Sequence, residues 1–340
     1  MVLELRPLHP SFAAEAGPID LRQARDRATL EEIRAAMDRH LVLVFRDQAF
    51  GDAEQLDFAR RFDGTLHTKT GAAALGANRF DDEALTDISN LGADGAILAR
   101  DDRRRQYALG NRLWHTDASF QDPPGRYSML HARIVPSSAA DTEFADLRAA
   151  YETLDQATRA RLEGLRVHHS IAYSRQTLGF EFSAEEAELL KGAVHPLVRV
   201  NPRSGRRSLY LASHASRILD WPLPEGRLLL RDLIEHATQP QFVYRHAWRV
   251  GDLVIWDNRA TMHRAHGDYD RNESRVLWRI ICEGDGFLYK MVRSLAVPSL
   301  LHDETVYRLG VGWWVDPAIR FVLPALALLI LAGAAAGAWR

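Results

Sequence analysis

One stretch of the chain, Leu113-Trp114-His115-Thr116-Asp117, sets a histidine and an aspartate one residue apart, and a second histidine closes Trp256-Asp257-Asn258-Arg259-Ala260-Thr261-Met262-His263 far downstream. Along a β-strand, residues i and i+2 point to the same face, so a strand here presents one imidazole and one carboxylate side by side. A fold that carries His263 across to them completes a facial triad of two histidines and one carboxylate. Such a triad holds Fe(II) by one face and leaves three positions open for substrate and O2. The fold must therefore bring together segments that are distant in sequence.

Alone, the pattern is weak. With 14 histidines in the chain, a His-x-Asp recurs by chance at His266-Gly267-Asp268. That copy lies in a polar run, residues 265–272, without strand patterning, and reads as a solvated turn. His115 instead sits among Leu113, Trp114, Ala118 and Phe120, where a buried polar group must find a partner. Even there, a lone strand histidine is more often a satisfied core residue than a ligand.

The segment Arg275-Val276-Leu277-Trp278-Arg279-Ile280-Ile281-Cys282 reads as a strand rich in β-branched and aromatic residues. Period 2 puts Arg275, Leu277, Arg279 and Ile281 on one face, and Val276, Trp278, Ile280 and Cys282, a core face, on the other. The arginine face either meets solvent, which strands Leu277 and Ile281 there, or lines an anion-binding cavity, since a guanidinium offers a fork matched to carboxylates. Four residues along a strand separate the two arginines by roughly 13 Å at the backbone, which lets them anchor two different carboxylates.

Taken with further blocks, these residues have a family look. The blocks include Leu8-His9-Pro10, Val42-Leu43-Val44-Phe45-Arg46, Asp87-Ile88-Ser89-Asn90, Arg126-Tyr127-Ser128-Met129-Leu130, Asp141-Thr142-Glu143-Phe144, Phe242-Val243-Tyr244-Arg245-His246 and Gly251-Asp252-Leu253-Val254. Over residues 5–284 the chain resembles the Fe(II)- and 2-oxoglutarate-dependent dioxygenases of the taurine dioxygenase type. Within that group it is similar to the 2,4-dichlorophenoxyacetate, or aryloxyalkanoate, dioxygenases.

The resemblance implies roles position by position. His115, Asp117 and His263 are the iron ligands. Thr142 and Arg275 hold the distal carboxylate of 2-oxoglutarate, with Trp248 packing nearby. Arg279 pairs with the anionic group of a small organic substrate, and Asn111 lies beside that pocket. In such enzymes 2-oxoglutarate and O2 are consumed, succinate and CO2 leave, and the substrate is hydroxylated. Relatives that halogenate lack the carboxylate ligand; Asp117 is present, so hydroxylation is expected. For an aryloxyacetate the products are a phenol and glyoxylate. The chain departs from the family pattern between His263 and Arg275, where it is one residue longer than expected, and in the iron-site stretch, which reads His115-Thr116-Asp117-Ala118-Ser119 where serines are expected. The alternatives are a taurine, sulfonate or alkyl-sulfate dioxygenase using the same triad, and a non-enzymatic jelly-roll module that binds an anion.

Composition sets bounds. Net charge is −2 with a pI near 6.7, so no bulk basic field invites nucleic acid. A single cysteine, Cys282, excludes an internal disulfide and suits a reducing cytoplasm. No secretory signal is visible at the N-terminus. Arg103-Arg104-Arg105 follows two aspartates and reads as a solvated loop.

Helices are expected at about 29–40 (capped by Thr29), 53–62, 145–165, 175–193 and 225–238. Short strands are expected at 41–45, 126–135, 197–200, 209–211, 242–248, 253–256 and 276–282. Residues 64–80 and 92–112 read as loops and candidate lids. The pattern fits a mainly β chain with flanking helices, a double-stranded β-helix or jelly roll. It occupies residues 1–284 as one dioxygenase domain, with a homo-oligomer as the expected assembly. Residues 285–340 form a C-terminal extension. Its segment 321–339 has nineteen residues without a charge, close to the length that spans a bilayer. Membrane contact, a buried helix at an oligomer interface and an unstructured appendix are its three readings.

Overall fold

The computed structural model describes residues 3–68, 80, 82–138, 140–269 and 272–284. The chain runs β1 (Leu5–Pro7), β2 (Ala14–Ala16), α1 (Arg27–His40), β3 (Val42–Phe45), α2 (Asp52–Asp63), β4 (Thr86–Ser89), α3 (Arg103–Ala108) and β5 (Gly125–Ile134). It continues with β6 (Thr142–Asp146), α4 (Leu147–Thr153), α5 (Gln156–Leu162), β7 (Arg166–His169), α6 (Ile171–Gln176), α7 (Ala184–Leu189), β8 (Ala193–Pro196), β9 (Val198–Val200), β10 (Arg207–Leu209) and β11 (Ala215–Ile218). The last elements are α8 (Leu223–Ala237), β12 (Val243–His246), β13 (Leu253–Asp257), β14 (Thr261–Ala265) and β15 (Val276–Glu283).

Two sheets carry the jelly roll expected from the strand pattern. The larger is mixed, with the order β1-β2-β3-β13-β5-β15-β4; the smaller is β12-β6-β14. Strand β13 is buried along its whole length, and its alternation divides the core. Leu253 and Ile255 pack with Ile33, Met37, Phe58 and Phe62 under α1 and α2. Val254 and Trp256 turn the other way and meet Phe144 and Tyr244 of the smaller sheet. That sheet alternates likewise, sending Phe144 inward while Ala145 and Met262 pack outward with Leu230 and Leu233 of α8. The interior between the sheets thus receives one face from each, and one side chain it receives is His263.

Several sequence expectations are corrected. Asp26, not Thr29, caps α1, accepting from the Thr29 amide at 2.8 Å, and the helix starts at Arg27. The helix expected over 145–165 begins later, since Ala145 belongs to β6, and it breaks into α4 and α5, capped separately by Asp146 and Asp155. The helical stretch expected over 175–193 holds only the end of α6 and the short α7, and Ala193 already opens β8. Residues 92–112 are not all loop: α3 and a 3-10 turn, Leu109–Arg112, fold there. Arg103-Arg104-Arg105 accordingly sits on a capped helix, where Arg103 meets Glu186 at 2.5 Å and Arg105 donates to the Leu98 carbonyl at 2.8 Å. Strands β1, β2, β4, β6, β7, β8, β11 and β14 were not anticipated. Among the described residues no helix is long and apolar enough to cross a membrane. Most of the 64–80 loop and the whole extension from residue 285, with its segment 321–339, lie outside the described residues.

Candidate active site

His115 does not sit on a strand. It forms an isolated bridge with His263 of β14, the two exchanging backbone hydrogen bonds at 2.9 and 2.8 Å. Asp117 follows in a turn, and Ala118 beyond it takes a left-handed φ of 53°. The hydroxyl of Thr116 lies 2.8 Å from the Leu211 carbonyl and 3.0 Å from that of Thr261, which ties the segment down. Gly125 passes so close that a Cβ there would stand 2.9 Å from the Asp117 carbonyl oxygen. The side-by-side presentation expected of a strand is achieved by a pinned turn instead.

Three buried side chains converge here. One ligand atom each from His115, Asp117 and His263 lies within 4.8 Å of the others, the one such group among the described residues. The Nε2 atoms of His115 and His263 stand 3.9 and 3.8 Å from the carboxylate oxygens of Asp117. His115 Nδ1–H donates to the Leu113 carbonyl at 2.8 Å, which leaves Nε2 with its lone pair. The ring of His263 packs against Trp256, with centroids 4.7 Å apart, and stacks on Phe144 at 6.0 Å. Burial lowers the His115 pKa to about 4 and takes that of His263 well below its ordinary value, so both imidazoles are neutral. Burial alone would raise the Asp117 carboxyl; the Arg279 guanidinium, with the Ser128 hydrogen bond, holds it below the usual carboxylate range. Two neutral imidazoles and an ionised carboxylate are a donor set suited to Fe(II).

The carboxylate is held from two sides. Ser128 of β5 donates to Oδ2 at 2.7 Å, and Arg279 of β15 donates to Oδ1 at 2.6 Å. The Ser128 oxygen accepts in turn from Asn258 Nδ2 at 2.8 Å, while Asn258 Oδ1 accepts from Trp256 Nε1 at 3.0 Å and from the Asp117 amide at 3.2 Å. Sequence reasoning assigned no role to Ser128 or Asn258.

A cavity of about 230 Å³ lies over the triad, lined from both sheets. Arg275, Arg279, Thr142 and Asn111 all reach it. Trp248 is not in its wall but stands behind Thr142, donating from Nε1 to the Thr142 hydroxyl at 3.0 Å. Arg275 precedes β15; its amide donates to Asn90 Oδ1 at 2.8 Å, and its guanidinium is buried beside the Ala140 carbonyl at 3.4 Å. Arg279, expected to face substrate alone, also grips Asp117; its Nε has no hydrogen-bond partner among the described residues. His266 reaches the same cavity and lies 3.1 Å from Glu143, so it is not the solvated turn residue expected. Two further wall residues escaped the sequence reading, Arg175 of α6 and His214.

A family model described as "Taurine catabolism dioxygenase TauD, TfdA family" matches residues 4–281. The chain is 45% identical over 280 residues to the alpha-ketoglutarate-dependent 2,4-dichlorophenoxyacetate dioxygenase of Cupriavidus pinatubonensis, covering 82% of this chain and 97% of that one. It is 33% identical over 291 residues to an (S)-phenoxypropionate/alpha-ketoglutarate dioxygenase of Sphingobium herbicidovorans, covering 83% and 95%. The crystal structure of AAD-2 in complex with Mn(II) and N-oxalylglycine superposes with a TM-score of 0.80 at 44% identity, over 84% of this chain and 99% of that one.

Proposed function

The chain belongs to the TauD, TfdA family and is a 2-oxoglutarate-dependent dioxygenase that uses Fe(II) and O2; from that premise we propose that it hydroxylates a small aryloxyacetate, which is released as a phenol and glyoxylate. One observation carries the reading. Beside the buried triad, the cavity lining includes the guanidiniums of Arg275 and Arg279, to which this reading gives one carboxylate ligand each.

We assign Fe(II) to His115, Asp117 and His263. Bound there, it supplies the oxidative chemistry of the family, in which O2 and 2-oxoglutarate become succinate, CO2 and a hydroxyl on the substrate. The protein supplies orientation and dryness. The Leu113 carbonyl fixes the tautomer of His115, and Ser128 fixes the plane of the Asp117 carboxylate. Arg275 and the Thr142 hydroxyl, itself set by Trp248, receive the distal carboxylate of 2-oxoglutarate. Arg279 and Asn111 face the substrate anion, and Leu130, Phe120 and Ile281 exclude water around it. Hydroxylation of the carbon beside the ether oxygen yields a hemiacetal, which collapses to phenol and glyoxylate.

The catalytic domain is residues 1–284, working in the cytoplasm as a homo-oligomer. The extension is an appendage that catalysis does not need, and its 321–339 segment supports membrane contact; truncation after Gly286 should leave activity intact and increase the soluble fraction. A panel of phenoxyacetates, taurine and alkyl sulfates, read by succinate formation, tests the substrate assignment. Fast turnover of the phenoxyacetates is expected, whereas turnover confined to taurine or the sulfates would move the protein to that branch.

A further inference from the structure

Several largely buried arginines among the described residues carry a carboxylate partner. Arg148 lies 3.1 Å from Asp146, Arg259 lies 2.6 Å from Asp257, and Arg126 lies 3.0 Å from Asp63. Arg175 differs. It is 3% exposed, and among the described residues no carboxylate comes within ion-pair distance of it. Its hydrogen-bond partners are neutral: Nη1 donates to Ser174 Oγ and Nη2 to Asn111 Oδ1, both at 3.2 Å. Nε has no partner, and the guanidinium lies 4.6 Å from the centroid of the Tyr107 ring. A cation buried without a counter-charge is destabilising unless something else compensates it.

Its position suggests what does. Arg175 lines the cavity that holds the triad and Arg279. The guanidinium fits into a notch at Gly110, where an added Cβ would stand 2.2 Å from Arg175 Cζ. Ser174 is anchored by the Ile171 carbonyl at 2.9 Å and by His214 Nδ1 at 2.8 Å, so the donors are pre-set. Asn111 spends its carbonyl oxygen on Arg175, which leaves both N–H donors of its carboxamide uncommitted among the described residues.

We infer that Arg175, with Asn111, is a second anion-recognition point of the substrate pocket, and that the carboxylate of the primary substrate lies between the guanidiniums of Arg175 and Arg279. The inference rests on the reading of the substrate as a small organic anion. It makes Arg175 a specificity-determining residue, one that favours acids over their neutral analogues.

The test compares phenoxyacetate with neutral phenoxyacetamide. In the Fe(II) enzyme, Arg175→Met should raise KM for phenoxyacetate about tenfold or more and leave KM for 2-oxoglutarate within about twofold, the scale expected for truncating one partner of a buried charged contact. Arg175→Lys should recover part of the loss. Gly110→Ala, which displaces the guanidinium without altering α6, should reproduce the raised KM. Under anaerobic conditions with Fe(II) and 2-oxoglutarate, the variants should weaken phenoxyacetate binding but not phenoxyacetamide binding. Equal weakening of acid and amide, or an unchanged KM in both Arg175→Met and Gly110→Ala, would overturn the inference. If the wild type turns over an alkyl sulfate and no aryloxyacetate, only the substrate reading fails. The same variants are then read on the sulfate, where a raised KM supports Arg175 and an unchanged one overturns it.

Discussion

Ser128 holds Asp117 by a hydrogen bond of 2.7 Å to Oδ2, from a position on the neighbouring strand β5 where the serine is fully buried. The bond fixes the carboxylate plane of the proposed metal ligand, and outer partners of this kind tune metal affinity. Ser128→Ala should therefore weaken Fe(II) binding by about ten- to hundredfold without removing any ligand. Metal titration of the variant and the wild type checks this; unchanged affinity would show that the turn alone orients Asp117.

His115→Ala and His263→Ala should each abolish iron binding and turnover, because two remaining donors cannot complete a facial set. His266→Ala removes the other histidine of the chance-like His-x-Asp and should retain iron, although the residue reaches the cavity. Iron content after purification decides. A His266→Ala protein empty of iron beside a loaded His263→Ala protein would make His266, not His263, the ligand.

The two arginines of β15 and its approach should separate kinetically. Arg275→Ala is expected to raise KM for 2-oxoglutarate by about tenfold or more, the order associated with losing one side of a buried charged contact. Arg279→Ala should act mainly on the primary substrate, with a secondary loss of metal affinity because it also grips Asp117 at 2.6 Å. Exchanged effects in the two titrations would reverse the assignments.

Acid should destabilise the fold through histidines outside the His115, Asp117 and His263 group. His131 and His195 have pKa values lowered to about 4, chiefly by burial, against 6.5 ordinarily. Unfolding returns them to the ordinary value, so between pH 6.5 and 4 the unfolded chain binds more protons than the folded one. Their contribution is complete above pH 6.5 and is lost as the pH falls toward 4. Denaturant unfolding at pH 7 and pH 5 should give a lower stability at pH 5, and His131→Gln should flatten the difference; equal stability at both pH values would contradict this.

Much of this site was legible in the sequence because its residues stand out against their surroundings. The alternation of 275–282 could be read since its faces meet opposite environments, with Ile280 and Cys282 under the helices and Arg279 in the cavity. His115 and Asp117 stood out by spacing, although a turn and not a strand produces their pairing. Ser128 did not, because a serine in an apolar strand looks like filler until its partner arrives from another loop. Arg175 was equally hidden: its notch and its hydrogen-bond partner are Gly110 and Asn111, on a turn that no apolar period marks. Burial alternates along the short strands β7 and β8, but the histidines His169 and His195 hold buried positions there, so no apolar alternation shows in the sequence.

The most direct test of the central claim is the stoichiometry of phenol and succinate released from a phenoxyacetate by the Fe(II)-loaded protein, with and without His263. Equal amounts from the wild type, and neither from His263→Ala, are predicted. Succinate without phenol, or both products undiminished in His263→Ala, would contradict it.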